Sequence, residues 1–422
     1  MLLQLQDLRS ALAELIKRAN VTPELFRFQE RRRISFRVIH LDHKDPVTAS
    51  ISPDQHPDGP GGSFESDAVQ FPLGWILDNA SAAIQYRAII DVAGMTQHRE
   101  VYRRLSLAFP PALRMAVAQD GDGTWGEAIL TVPDGRGSTR VGTIPAFRRL
   151  LEYGWDRESP PLIRARRVLF RLLAEDNDAD QLYELRKQAG DDPDLIHRAR
   201  VMLREAAAAA LAHAGYEGDP RLRGAARRIL ARVDTYLASP LALKPWVRVA
   251  NRQVLAAEAN PPSMQMLTML AHMPLFRSEN HSQVSRLMAH LSQPLPRQEA
   301  FQLVGKHIVA QPHLVLGDPL SSRNVVDADV PFALTWLELM ARLGFLRRNE
   351  GWVSLFERFL DDRDRDFVWH PHRGMIKPHT TNPDVWAQFP LDEGAEGEDR
   401  WSDVTFRLGL IAKLLGRRIE PV

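Results

Sequence analysis

Tyr153-Gly154-Trp155-Asp156 and Ala214-Gly215-Tyr216-Glu217 open two stretches of the chain that repeat one another. Eleven residues past the first glycine begins Ala165-Arg166-Arg167-Val168-Leu169, and at the same spacing past the second begins Ala226-Arg227-Arg228-Ile229-Leu230. The offset is 61 residues without a gap. Gly344-Phe345 gives the opening a third time, followed by an apolar helical pattern through Val353, Leu355, Phe356 and Leu360. A glycine after a helical run fits a left-handed C-cap, which residues with a Cβ adopt only at a cost. The aromatic residue then packs over the helix end, a charged turn follows, and a second helix begins. Each unit has room for two helices of about 15 residues, an αα-hairpin. Stacked hairpins make an open solenoid or a closed ring.

Outward from this repeat, nearly everything from residue 78 onward reads as helices ended by Gly or Pro. The N-terminal part differs. Apolar residues at helical spacing occupy 5–19, Ile34 to Leu41 partly alternates like a short strand, and Ser52 to Ser63 holds three prolines and three glycines. The expected division is an N-terminal extension, 1–65, ending in this Pro/Gly-rich loop, and a helical domain, 66–422. The expected fold class is all-α in the main, with a little β confined to the extension.

The 422 residues are 44% hydrophobic and 25% charged, an ordinary globular composition. No stretch reaches the roughly 20 apolar residues of a membrane span, and the N-terminus lacks the pattern of a secretory signal. The absence of cysteine excludes disulfides, thiolate metal sites and a cysteine nucleophile. A cytoplasmic location is the expectation. The net charge of +1 gives no footprint for nucleic acid. Lysine supplies only seven of the 54 basic residues, so the arginine excess reads as compositional bias, including the helix face of Arg221, Arg223, Arg227 and Arg228.

Gln119-Asp120-Gly121-Asp122-Gly123-Thr124-Trp125 matches Gln-x-x-x-Gly-x-Trp, the repeated motif of squalene and terpenoid cyclases. With its Gly-aromatic hairpins, the chain resembles the terpenoid-cyclase and protein-prenyltransferase superfamily of α/α toroids over roughly residues 78–422. The resemblance implies a double ring of helical hairpins around an apolar cavity for an isoprenoid or lipid-like molecule. It gives Gln119, Gly123 and Trp125 a structural duty, tying neighbouring helices at a turn. The family's acid and magnesium signatures, Asp-x-Asp-Asp and Asp-Asp-x-x-Asp, are missing; Asp361-Asp362-Arg363-Asp364-Arg365-Asp366 comes nearest but has Arg365 at the final carboxylate position.

The densest functional stretch runs from Asp361 to His379. Asp361 and Asp362 are candidate acids, because a like-charged neighbour raises a carboxyl pKa. His370 and His372 are candidate zinc or iron ligands, imidazole suiting both metals. The bland alternative is a solvated turn in which Arg363 and Arg365 neutralise the acids. Trp336 and Trp369 offer faces for a cationic intermediate, and Met266 and Met269 offer an adaptable apolar lining. Core packing is the competing role for all four. No cofactor follows from the sequence. Two functions lead: a cyclase-like toroid binding or converting an isoprenoid, and a non-catalytic helical-repeat scaffold binding a partner protein; a nucleic-acid-binding helical repeat, supported only by arginine-rich faces such as Arg221, Arg223, Arg227 and Arg228, is third.

Overall fold

The computed structural model describes residues 68–133, 140–174, 179–320, 322–371, 382–392 and 401–422. The chain divides into two units, Met1–Asp67 and Ala68–Val422. The helix, strand and Pro/Gly loop expected before residue 65 lie outside the described residues.

The second unit is mainly helical and built of helix hairpins. It opens with strand β1 (Val69–Phe71) and helices α1 (Leu73–Asn79), α2 (Ala82–Arg87, extended by a π turn over Ala88–Val92), α3 (Arg99–Leu107) and α4 (Pro110–Val117). Then come α5 (Thr143–Glu152), α6 (Pro160–Leu172), the short α7 (Arg186–Ala189), α8 (Pro193–His213) and α9 (Pro220–Leu237). A hairpin of β2 (Trp246–Val249) and β3 (Arg252–Leu255) precedes α10 (Met264–Ala271), α11 (Pro274–Glu279) and α12 (His281–Leu291). A second hairpin, β4 (Phe301–Val304) and β5 (His307–Ala310), precedes α13 (Arg323–Ala328), α14 (Val330–Leu343) and α15 (Glu350–Asp361). The chain ends in α16 (Ser402–Leu414) and β6 (Ile419–Pro421).

Local chemistry sets these limits. Asp192 caps α8 by accepting from the amides of Asp194 at 3.0 Å and Leu195 at 3.2 Å, with Pro193 in the first turn. Asp219, Asp329 and Asn349 cap α9, α14 and α15 in the same way. At the other end, Gly154, Gly215 and Gly344 all have positive φ. The amides after them, Trp155, Tyr216 and Phe345, reach back to the carbonyls of Leu150, Leu211 and Met340, closing Schellman caps. Gly416 ends α16 by the same device, with Arg417 bonding Ala412.

Burial separates the helices into two layers. In α5, α8 from Glu205 onward, α10, α14 and α16 almost every residue is buried. The intervening α6, α9, α12 and α15 bury only one face, as amphipathic outer helices do. The two 61-residue units therefore place Ala165, Val168 and Leu169 of α6 and Ala226, Ile229 and Leu230 of α9 at equivalent buried positions. The inner helices pack in succession: α5 on α8, α8 on α10, α10 on α14, α14 on α16, and α16 on the π turn after α2. Both ends of the unit meet where β1 pairs in parallel with β6, Val69 opposite Ile419.

The β content of the described residues lies inside the helical unit, in the β1–β6 pair and in a four-stranded sheet ordered β2-β3-β4-β5, where the sequence pattern predicts none. The two hairpins of that sheet are inserted on either side of the α10–α12 helices and join through a single parallel pairing of Leu255 with Gln302. Their strands are four residues each, too short for periodicity to separate them from helix.

Around Gln119 the chain forms a knot of hydrogen bonds. The Gln119 amide donates to Gly123 O at 3.1 Å and to Pro161 O, in the first turn of α6, at 2.8 Å. Trp125 is buried; its indole donates to Met115 O of α4 at 2.7 Å, and its amide to Thr143 Oγ1 of α5 at 3.2 Å. A Cβ at Gly123, whose φ is +94°, would press on Arg164 O of α6. The segment thus touches three helices.

The glycine caps make a graded prediction. Gly215→Ala meets only the tip of Arg157 and should cost about 1–2 kcal/mol for its left-handed backbone. Gly154→Ala adds a Cβ inside the van der Waals envelope of the Tyr86 ring, so overpacking should add roughly another 1–3 kcal/mol. Urea unfolding of the two variants should rank them in that order.

Candidate functional site

Where the inner helices face one another, their side chains are charged. α2 contributes Arg87, α5 Arg148 and Glu152, α8 its last residue His213, and α14 Glu338 and Arg342; His272 caps α10, and Arg407 comes from α16. The repeat fixes part of this register. Glu152, His213 and Arg342 each stand two residues before the glycine that ends their helix.

Arg407 is the hub. It is 2% exposed and donates to Glu338 Oε2 and to Glu152 Oε2, both at 2.7 Å, and to the carbonyl of Gln388 at 2.7 Å. Glu152 also pairs with Arg87 and, through Oε1, with His213 Nε2 at 3.2 Å. Glu338 receives Arg342 Nε at 2.9 Å, and Arg87 Nε reaches Asp91 at 2.7 Å. Burial alone would favour neutral carboxyls. The guanidinium groups of Arg407 and Arg87 outweigh it and hold Glu152 well below the usual carboxylate range. Arg407 and Arg342 likewise lower Glu338 against its burial. Both are ionised acceptors, fully engaged, and neither is poised as an acid.

The histidines lean the other way. The rings of His213 and His272 meet at a 45° tilt with centroids 4.6 Å apart, and His272 Nδ1 lies 2.9 Å from Thr268 O. Burial pushes both pKa values down, His272 the further, with His213 and Arg342 adding to its effect. Burial also raises Asp384 and Asp403 to about 6.

The segment 382–391 lies against this centre. Arg149 of α5 donates to the carbonyls of Trp386 and Pro390 and stacks over the Trp386 ring at 4.9 Å. Gln265 Nε2 of α10 donates to Asp384 at 2.7 Å, and Asp403 of α16 accepts from the amide of Leu391 at 2.9 Å. Elsewhere, a cavity of about 160 Å³ has Arg87, Asp91, Arg99, Arg103, Trp155 and His213 in its lining. A wider groove of about 800 Å³ runs along α6 to the α8–α9 turn, lined by Arg166, Arg167, Phe170, Arg171, Tyr216 and Arg221 with Asp122 and Asp219.

The residues singled out in the sequence sit apart from these features. Asp361 is the exposed last residue of α15, and Asp362 follows as its cap. In the turn beyond, Asp364 Oδ1 accepts from the amides of Asp366 and Val368, while Arg363 donates to Leu360 O and Gln70 O. His370 is half-buried with Nδ1 3.4 Å from Pro371 O, and His372 lies outside the described residues. Among the described residues no group of three His, Asp or Glu could hold a metal ion. Trp336 packs edge-on against Trp352, and Trp369 against Phe359 and Trp401. Met266 and Met269 are fully buried on α10. None of these residues lines the cavity or the groove. The central charges were missed because single arginines and glutamates in an arginine-rich chain carry no local signal. The usable clue was a polar residue at a fixed distance before each repeated glycine.

Two predictions test this centre. Arg407→Ala leaves two buried carboxylates without their shared cation and should cost about 3–5 kcal/mol in urea unfolding, whereas neutralising all three as Arg407→Met, Glu152→Gln and Glu338→Gln should cost less. For the histidines, the folded pKa lies below the unfolded 6.5, so stability is lost as pH falls below that value. His272→Gln should flatten the loss between pH 7 and 5, by at most about 1.4 kcal/mol per pH unit. Among the described residues no helix is long and apolar enough to cross a membrane. No protein-family model matches the chain, and neither the curated proteins nor the solved structures give a match.

Proposed function

We propose that the inner helices close into an α/α toroid, and that the protein is a non-catalytic scaffold whose outer groove docks an acidic segment of a partner protein. Closure is supported by the Arg87–Glu152 pair and the Gly154–Tyr86 approach, which join α2 to α5. The observation that carries the scaffold reading is Arg407 held between Glu152 and Glu338. These buried, paired charges stand where an isoprenoid chain would need an apolar lining, and such a chain offers them no hydrogen bond. The Gln119–Trp125 segment supports the ring and is silent about chemistry.

The groove supplies the docking chemistry. Arg221 stacks over Phe170 at 3.8 Å and Arg166 over Tyr216 at 5.3 Å, so their guanidinium planes are pre-set. Arg167 and Arg171 are exposed and have no hydrogen-bond or ion-pair partner among the described residues. Four arginines against two aspartates select carboxylates, and the aromatic rings select apolar side chains between them.

A fluorescein-labelled peptide of glutamates interspersed with tyrosines should bind, measured by anisotropy, and its glutamine counterpart should not. Raising the salt should weaken binding. Arg167→Glu with Arg171→Glu should reduce affinity at least about tenfold, the cost of losing roughly 1.4 kcal/mol, with an unchanged melting temperature. Equal binding by the charge-reversed protein would sink the docking reading. Saturable uptake of farnesyl diphosphate by calorimetry would favour the cyclase-like alternative.

A further inference from the structure

Arg148 stands one helical turn before Glu152 on α5 and so shares its inward face. It is 3% exposed. Its neighbour Arg149 is saturated by two carbonyls and the Tyr153 hydroxyl. Arg148 has no hydrogen-bond or ion-pair partner among the described residues, and its buried Nε has no acceptor. The carboxylates within its field are Glu152, Asp384 and Glu338. The first and last are engaged by Arg87, Arg407 and Arg342, and Asp384 by Gln265. A guanidinium carries five N–H donors, and burying it without acceptors costs several kcal/mol.

Other groups in the same region are also left open. His213 uses Nε2 on Glu152, and its Nδ1 has no partner; Gln265 and Gln388 each have a buried side-chain oxygen with none. Glu152, one turn along α5 from Arg148, bonds His213, whose ring lies 4.6 Å from that of His272 at the end of α10, and Gln265 of α10 holds Asp384 at 2.7 Å. His213 also lines the cavity of about 160 Å³, together with Arg87, so one member of the cluster borders a space of small-molecule size.

We propose that Arg148 is the anchor of an internal site for a small oxyanion, a carboxylate or a phosphate, bounded by His213, His272, Gln265 and Asp384. The planar fork of the guanidinium matches two oxygens of such a group. Each histidine has one nitrogen committed to an acceptor, to Glu152 for His213 and to Thr268 O for His272. Protonation of the other nitrogen turns it into a donor toward the anion. This site is separate from the docking groove and stands whether or not that groove binds peptide.

Calorimetry on the full chain tests it, with inorganic phosphate in one series and succinate in another. One of the two should bind saturably with one site per chain, and their comparison distinguishes phosphate from carboxylate. Binding should strengthen from pH 8 to pH 6. Over that range Asp384, raised by burial to about 6, begins to gain a proton and lose its repulsion, while Glu152, Glu338, Arg87 and Arg407 keep their charges; His213 and His272, held down by burial, take up protons only as the anion binds, which works in the same direction. Arg148→Gln should weaken binding at least about tenfold, and Arg148→Lys should restore part of it. Arg167→Glu with Arg171→Glu should leave it unchanged. Loss of binding in that double variant would move the anion to the groove and overturn the proposal. So would absence of saturable binding by either anion to the wild-type protein, which leaves water as the partner of Arg148 and needs no folded variant.

Discussion

Arg407 between Glu152 and Glu338 is the constraint on which the remaining geometry depends. The three residues come from α16, α5 and α14, and Arg87 and His213 extend the contact to α2 and α8. A buried ion network of this kind contributes little net stability over a well-packed apolar core, because desolvation cancels most of its attraction. Its effect is on register. Apolar inner helices such as α8, with its run Ala206 to Ala210, can slide along one another at small cost. A guanidinium that must meet two carboxylates at 2.7 Å cannot. The polar centre fixes which turn of each helix faces which.

The same constraint explains why the repeated glycines matter. Gly154, Gly215 and Gly344 end their helices two residues beyond Glu152, His213 and Arg342. The cap and the charge are therefore set at one level in three of the inner helices. An insertion before either would carry both out of plane. The β1–β6 pairing adds a second tie, holding the start of the unit against its end beside α16.

Much of this frame was legible in the sequence, and the reasons are local. Glycine caps, Asp-Pro helix starts and the apolar spacing of α6 and α9 each act within a few residues, so they leave a trace in the chain. The Gln119–Trp125 segment mixes near and distant bonds, Gln119 reaching Gly123 four residues on and Pro161 42 residues on. The centre was not legible. Glu152 and Arg407 lie 255 residues apart, and each taken alone is one charged residue among many. Trp336, Met266 and Met269 stand out by type, yet they fill space between helices and line neither the cavity nor the groove. The β hairpins escaped because four-residue strands are shorter than the window in which alternation can be told from a helical face.

A charged interior also changes what an assembly of helical hairpins is able to do. An apolar cavity binds by excluding water and is indifferent to the order of its ligand's atoms. A centre of guanidinium and imidazole groups binds by counting donors, so a ligand there must present oxygens in the right number and plane. The segment 382–391 adds to this selection, because its carbonyls occupy Arg149 and one nitrogen of Arg407. Main-chain oxygens thus engage two of the inner cations while Arg148, next to Arg149 on α5, is left open. The difference between a filled and an open guanidinium, not the size of a hollow, is what separates the packing part of this centre from the part available to a ligand.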